Sequence, residues 1–179
     1  FIIDIKKDGK TKKEYQTSID SWKHFCKKYD HEIMTMEQPV TDMKYMGVIW
    51  QRYYLFDILD ANQLKFNQIL IVDADTIVHP DCPDFFEMTD NKFTTVEFDG
   101  SWDWVCRSLE NYSKYLFQNK MIDWWKYFDS GFWIVNKEHK KFAKSMTDFY
   151  HKNKDTILQV ENTFHVGTEQ TPLNFMIQL

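Results

Sequence analysis

Asn67-Gln68-Ile69-Leu70-Ile71-Val72-Asp73-Ala74-Asp75-Thr76-Ile77-Val78 joins an uninterrupted apolar run to two carboxylates spaced i and i+2. Leu70 and Val72 fall on one parity of the run, Ile69 and Ile71 on the other. Side chains alternate faces along a strand, so a run apolar on both parities is buried on both faces, as central strands of parallel α/β sheets are. By the same alternation Asp73 and Asp75 point one way and Ala74 the other. Two ionised carboxylates on one side of a buried strand end repel each other, and a bound divalent cation relieves that cost. Aspartate is also a common strand-ending and turn residue. Yet ligands of open α/β sheets bind at the carboxyl ends of such strands, which is where this pair falls. Asp73 and Asp75 are therefore read as metal ligands serving a phosphate-bearing molecule. That reading requires the two acids to face one another, with no lysine or arginine of the chain occupying them.

Working outward, Phe1 to Ile5 reads as a first strand and Tyr15, Ile19, Trp22, Phe25, Cys26 and Tyr29 as one helical stripe. His31 to Met36 is a second strand, Pro39 to Gly47 a loop, and Trp50, Tyr53, Tyr54, Asp57 and Ile58 mark a helix leading to the aspartate strand. Beyond it, His79 to Pro83 is a turn, with Pro83 opening a short helix through Phe85 and Phe86. Phe93 to Phe98 resumes a strand, and Trp104, Val105, Ser108, Leu109, Tyr112 and Tyr115 continue as a helix. Gly131 to Val135 is a further strand, and Phe142, Ala143, Met146, Phe149 and Tyr150 stripe a long helix. Thr168 is the expected cap of a last helix, with Pro172 in its first turn. The βαβαβ alternation predicts an α/β, Rossmann-like fold, a mixed and mainly parallel sheet flanked by helices. The 179 residues are one domain by length. Phe1 is no initiator, and Leu179 falls inside an apolar helical pattern, so both ends are read as incomplete.

A net charge of −5 argues against general nucleic-acid or anionic-membrane binding, Lys6 to Lys13 being a local basic loop. Cys26, Cys82 and Cys106 are odd in number and widely spaced, which fits a reducing, cytoplasmic setting and neither a disulfide frame nor a zinc site. No stretch approaches the roughly 20 apolar residues that span a bilayer. The 17% aromatic share serves mainly the core, although surplus Trp and Tyr suit a cleft that stacks on sugar or base rings.

Four segments in order resemble the nucleotide-sugar glycosyltransferases of the GT-A fold, in particular the glycogenin-like and bacterial galactosyltransferase group with its small phage or viral relatives. Gln51-Arg52-Tyr53-Tyr54-Leu55 resembles the helix that carries a basic residue ahead of that family's Asp-x-Asp motif, and Ile71 to Thr76 resembles the motif itself. Phe128-Asp129-Ser130-Gly131-Phe132-Trp133-Ile134-Val135-Asn136 looks like the family's F-N-S-G strand. Gly167-Thr168-Glu169-Gln170-Thr171-Pro172-Leu173-Asn174 looks like its D-Q-x-x-L-N helix start. Asp129 stands where many relatives carry Asn, and Glu169 where many carry Asp. A host-cytoplasm location follows if the chain is viral.

The resemblance implies transfer of a sugar from a nucleoside-diphosphate carrier, most simply UDP, to a hydroxyl of a glycan or glycoprotein acceptor. Oxygen ligands from Asp73 and Asp75 suit a hard octahedral cation, manganese or magnesium, and relatives add a third ligand, commonly His, from beyond Leu179. Arg52 is expected to reach the diphosphate or the sugar, Ser130 and Gly131 to admit the donor closely, and Ile3, Asp4 and Ala74 to take part in binding substrate or donor. Glu169, Gln170 and Asp129 are the candidate catalytic groups: an acid as general base if the reaction inverts, or Gln170 or a carboxylate facing an oxocarbenium-like centre if it retains, as the family pattern favours. Trp102 and Asp103, within Asp99 to Trp104, form a candidate sugar or acceptor edge, or else belong to the core at a helix start. Trp124 and Trp125 read as packing and His79 as a surface residue.

Two other readings stay open. A haloacid-dehalogenase-type phosphatase would use Asp73 as nucleophile and Asp75 as acid/base, although that motif normally opens its fold. A non-catalytic module would hold a nucleotide sugar or glycan without turning it over.

Overall fold

The computed structural model describes residues 1–6 and 11–179, so the basic stretch at Lys6 to Lys13 lies partly outside the described residues. Five strands form one sheet: β1 (Ile2–Ile3), β2 (Thr35–Met36), β3 (Gln68–Val72), β4 (Thr94–Glu97) and β5 (Phe128–Asn136). Their spatial order is β2-β1-β3-β5-β4. β1 pairs in parallel with β2 and β3, whereas β5 runs antiparallel to both β3 and β4. Four strands therefore share one direction, as the expected mainly parallel sheet requires, and the reversed strand lies beside the aspartate strand. β3 is central, but only one of its neighbours is parallel.

The double-sided burial expected of β3 is present. Leu70 and Val72, with Ile2 and Ile134, pack under Ile19, Trp22 and Phe25 of α1 (Lys13–Tyr29). On the opposite face Ile71, Trp133 and Val135 meet Leu55 and Phe56 of α2 (Leu55–Ala61) and Met146 and Tyr150 of α4 (Lys140–Phe164). A third cluster joins Val105, Leu109 and Tyr112 of α3 (Trp102–Leu116) to Val160 and to Phe175 of α5 (Gln170–Gln178). Within it the rings of Phe117 and Phe175 stack at 4.2 Å, a geometry that contributes about 0.5–1.5 kcal/mol beyond burial.

Several expected bounds shift. The first two strands shrink to two residues each, although Asp4 N still donates to Met36 O at 3.0 Å. The helix expected around Trp50 begins as a 3₁₀ segment, Val48–Tyr54, and becomes α-helical only at Leu55. Its β-branched and aromatic residues are poor α-formers, and the tighter winding buries Trp50, Gln51, Arg52 and Tyr53 in succession. So long a 3₁₀ run commonly marks a functional segment or strain. Thr168 does not cap the last helix: Glu169 holds that position, while Gly167 and Thr168 take φ of 86° and 83°. The three cysteines are free thiols. Among the described residues no helix is long and apolar enough to cross a membrane.

Candidate active site

The site forms where β3 ends beside the start of β5. β3 stops at Val72, and Asp73 to Thr76 turn away: Thr76 N and Oγ1 both donate to Asp73 O, at 3.2 and 2.7 Å. Trp22 Nε1 pins that turn by donating to Thr76 Oγ1 at 3.0 Å. The strand alternation expected for Asp73, Ala74 and Asp75 therefore does not apply, because all three lie beyond the ladder. Asp73 nevertheless stays beside β5, its N–H donating to Gly131 O at 3.0 Å. Ala74 packs into the α1-facing core, and Asp75 is exposed.

Arg52 ties the group together from below. Only 3% exposed, its guanidinium donates to Ile49 O at 3.1 Å, to Ser130 O, and to Asp73 Oδ1 at 2.6 Å. It also lies 3.6 Å from Glu169 Oε1. Burial alone would lower its pKa, but Glu169 and Asp73 more than offset this and hold it above its ordinary value. The condition that no cation of the chain occupy the acids thus fails for Asp73 Oδ1. Arg52 is not a free arm reaching into a cleft. Burial also raises the Asp73 carboxyl, with Arg52 opposing and Glu169 and Asp75 adding to the rise.

Among the described residues no cation pairs with Asp73 Oδ2. An added Cβ on Gly131 would lie 2.9 Å from it and 2.9 Å from Asp129 Oδ1, so the missing side chain of Gly131 leaves a cradle between two carboxylates. Asp129 Oδ1 also accepts from Gly131 N. On the far side Ser130 Oγ donates to Glu169 Oε1 at 2.8 Å, and Ser130 N donates to Gln170 Oε1 at 3.2 Å. Gln170 Nε2 is buried without a hydrogen-bond partner among the described residues. An orphaned buried donor costs about 1–3 kcal/mol.

Arg52, Asp73, Asp129, Ser130, Gly131, Glu169 and Gln170 are thus brought together. Ile3 and Asp4 lie at the end of β1, where the buried Asp4 accepts from Thr11 Oγ1 at 2.6 Å. Trp102 and Asp103 stand apart at the start of α3, Asp103 paired with Arg107 at 2.9 Å. His79 is a surface residue whose Nδ1 accepts from Asp81 N at 3.2 Å.

Two contributors carried no role in the sequence reading. Asn174, one turn after Gln170, accepts from Phe128 N and donates to Phe128 O, each at 2.9 Å, so a side-chain amide clamps β5 as a neighbouring strand would. Its i+4 spacing from Gln170 on one helix face was the available signal. Gly167 lets the chain enter α5 against the Tyr112 ring, whose hydroxyl donates to Thr168 O at 3.2 Å.

The sequence profile described as Glycosyl transferase family 8 matches residues 3–178. The chain belongs to that family. Comparison with curated proteins and with solved structures returned no match. A family-8 glycosyltransferase needs a sugar donor and an acceptor, and membership decides against the phosphatase reading. Within this family-8 chain no three His, Cys, Asp or Glu side chains converge as a metal-binding group among the described residues.

Proposed function

We propose that the chain transfers a sugar from a nucleoside-diphosphate sugar, most simply a UDP-sugar, to a hydroxyl of a glycan or glycoprotein acceptor. The carrying observation is the convergence at Gly131: two carboxylates facing a cradle without a Cβ, and across Ser130 a buried Gln170 amide with a spare donor. With Asp73 Oδ1 taken by Arg52, the oxygens left to hold a hard divalent cation, Mn²⁺ or Mg²⁺, are Asp73 Oδ2 and those of the exposed Asp75. When bound, such an ion stabilises the negative charge that develops on the departing diphosphate.

The protein groups supply the remainder. The bond from the anomeric carbon to the phosphate oxygen breaks, and a bond from that carbon to the acceptor oxygen forms. With retention, the acceptor proton passes to the departing phosphate. Gln170 Nε2 donates to a hydroxyl or oxygen of the donor sugar, while the Glu169 and Asp129 carboxylates supply the negative charge that faces the oxocarbenium-like centre. Arg52 fixes Asp73 and Ser130 in place and makes up for the buried acids. A cytoplasmic setting is supported by the three free thiols.

The test is donor turnover by the wild-type chain. UDP-glucose and UDP-galactose with Mn²⁺ are expected to raise the unfolding temperature and to release free sugar slowly, with chelation abolishing the release. Preference for p-nitrophenyl phosphate, or binding without turnover of any nucleotide sugar, would count against this assignment.

A further inference from the structure

Three indoles from two separate segments meet on one surface. Trp102 opens α3 and is 51% exposed; Trp124 and Trp125, in a 3₁₀ turn ahead of β5, are 49% and 57% exposed. The expectation that Trp124 and Trp125 are packing residues is thereby corrected. Trp102 meets Trp124 edge-on with ring centroids 4.1 Å apart, and Trp124 meets Trp125 at 5.5 Å and 87°. An edge-to-face contact covers one face of one ring and leaves the other faces free, and with each ring about half exposed flat indole surface stays open to water.

The placement ties this surface to the site. Phe98 N donates to Tyr127 O at 3.3 Å, which sets the segment leading into α3 against the segment leading into β5. Gln178, at the end of α5, accepts from Asp123 N at 3.1 Å, while Gln170, at its beginning, contacts Ser130. The indoles and the Gly131 cradle thus lie at opposite ends of one α5–β5 seam, whose anchors Gln170 and Gln178 are about 12 Å apart along α5 at 1.5 Å per helical residue. Both sit where β3 and β4 end, the edge at which open sheets bind ligands.

The surroundings select the occupant. Asp103 pairs with Arg107 at 2.9 Å and Asp123 with Lys126 at 2.7 Å, both pairs well exposed beside the rings. Cores of protein–protein interfaces are depleted in such charges, although exposed Met121 adjoins the patch. A pyranose offers an apolar C–H face and a rim of hydroxyls, which matches indole faces bordered by carboxylate oxygens.

We propose that Trp102, Trp124 and Trp125 form a subsite for a sugar unit of the acceptor glycan, remote from the unit that receives the transferred sugar. Asp103 and Asp123 accept hydrogen bonds from its hydroxyls. This rests on the glycosyltransferase reading above and gives it an acceptor class, an oligosaccharide longer than the reacting unit.

The probes are maltohexaose, cellohexaose and N-acetylchitohexaose, each titrated to millimolar concentration against ¹⁵N-labelled wild-type chain while the indole N–H resonances are followed. At least one hexasaccharide is expected to shift the resonances of these three tryptophans. The variant Trp102→Ala/Trp124→Ala/Trp125→Ala is expected to bind that sugar at least tenfold more weakly at a near-unchanged unfolding temperature. Trp125→Ala alone, at the most exposed ring, provides the same readout if the triple variant folds poorly. Indole signals indifferent to all three sugars, or shifting instead with protein concentration as a second copy covers the patch, would overturn the subsite. Wild-type donor turnover, measured separately, fails only if the transferase reading fails, so the two losses are distinguishable.

Discussion

Arg52 donates to Asp73 at 2.6 Å across 21 residues of sequence, from a fully buried position to a carboxylate whose side chain is 42% exposed. A cation inside the protein thereby sets the position of an acid at its surface, and the same guanidinium also holds Ser130 O. Arg52→Ala leaves Asp73 and the buried Glu169 without their cation, and breaking a buried pair from one side costs about 3–5 kcal/mol. Arg52→Lys should recover little, since one ammonium cannot reproduce a planar fork reaching Ile49 O, Ser130 O and Asp73 together. The denaturant midpoints of both variants check this, and wild-type midpoints would contradict it.

At Gly131 stability and activity should separate. The carboxylates of Asp73 and Asp129, each 2.9 Å from an added Cβ, can swing aside. Gly131→Ala is thus expected to cost about 1–3 kcal/mol, as overpacking does. The acids then lie displaced, and a misplacement of that order lowers turnover about 10²-fold. Thermal unfolding and UDP-sugar turnover on the same preparation give the two numbers.

Gly167 should behave differently. Its φ is 86°, and an added Cβ would stand 2.0 Å from the Tyr112 ring, a core residue with little room to move. Gly167→Ala combines left-handed strain of roughly 1–2 kcal/mol with overpacking, so its unfolding temperature should fall well below that of Gly131→Ala. Tyr112→Phe, which loses only the bond to Thr168 O, should be the mildest of the three.

Asp75 is exposed and lies in a turn. Asp75→Ala should leave stability within about 0.5 kcal/mol of wild type while abolishing metal-dependent donor turnover. Unchanged turnover in Mn²⁺ would remove Asp75 from the site.

Glu161 gives the pH dependence. Burial raises its carboxyl from 4.5 to about 7, with Glu169 adding to the rise and the Trp50 indole partly opposing it. A folded-state pKa above the unfolded one means the protonated form is favoured in the native state. That stability is fully present below pH 4.5 and is lost as pH rises through about 7. Glu161→Gln removes the titration, so its unfolding temperature relative to wild type should be higher at pH 8 than at pH 5. Equal differences at the two pH values would refute the shift.

The fold was legible where one physical rule dominated. An apolar run on both parities placed β3 in the middle of the sheet, with Leu70 and Ile71 on opposite faces as expected. The reversed direction of β5 was not legible, because strand direction depends on tertiary connection and leaves no mark on the strand's own nine residues. At the site, residue types were readable but engagement was not. Arg52 was expected to reach the diphosphate or the sugar, and nothing local reveals that Val48–Tyr54 winds tightly and buries it. Trp124 and Trp125 read as packing residues, but large apolar side chains are also left at protein surfaces, as both are here.

The clamp of Asn174 on both polar groups of Phe128 makes the seam beneath the two loops at 99–104 and 121–126 a rigid chassis. Exchanging those loops between members of one lineage could retarget which polymer is extended without touching the residues that handle the activated sugar. Selection could then work on two short peptides while the reaction machinery stayed fixed.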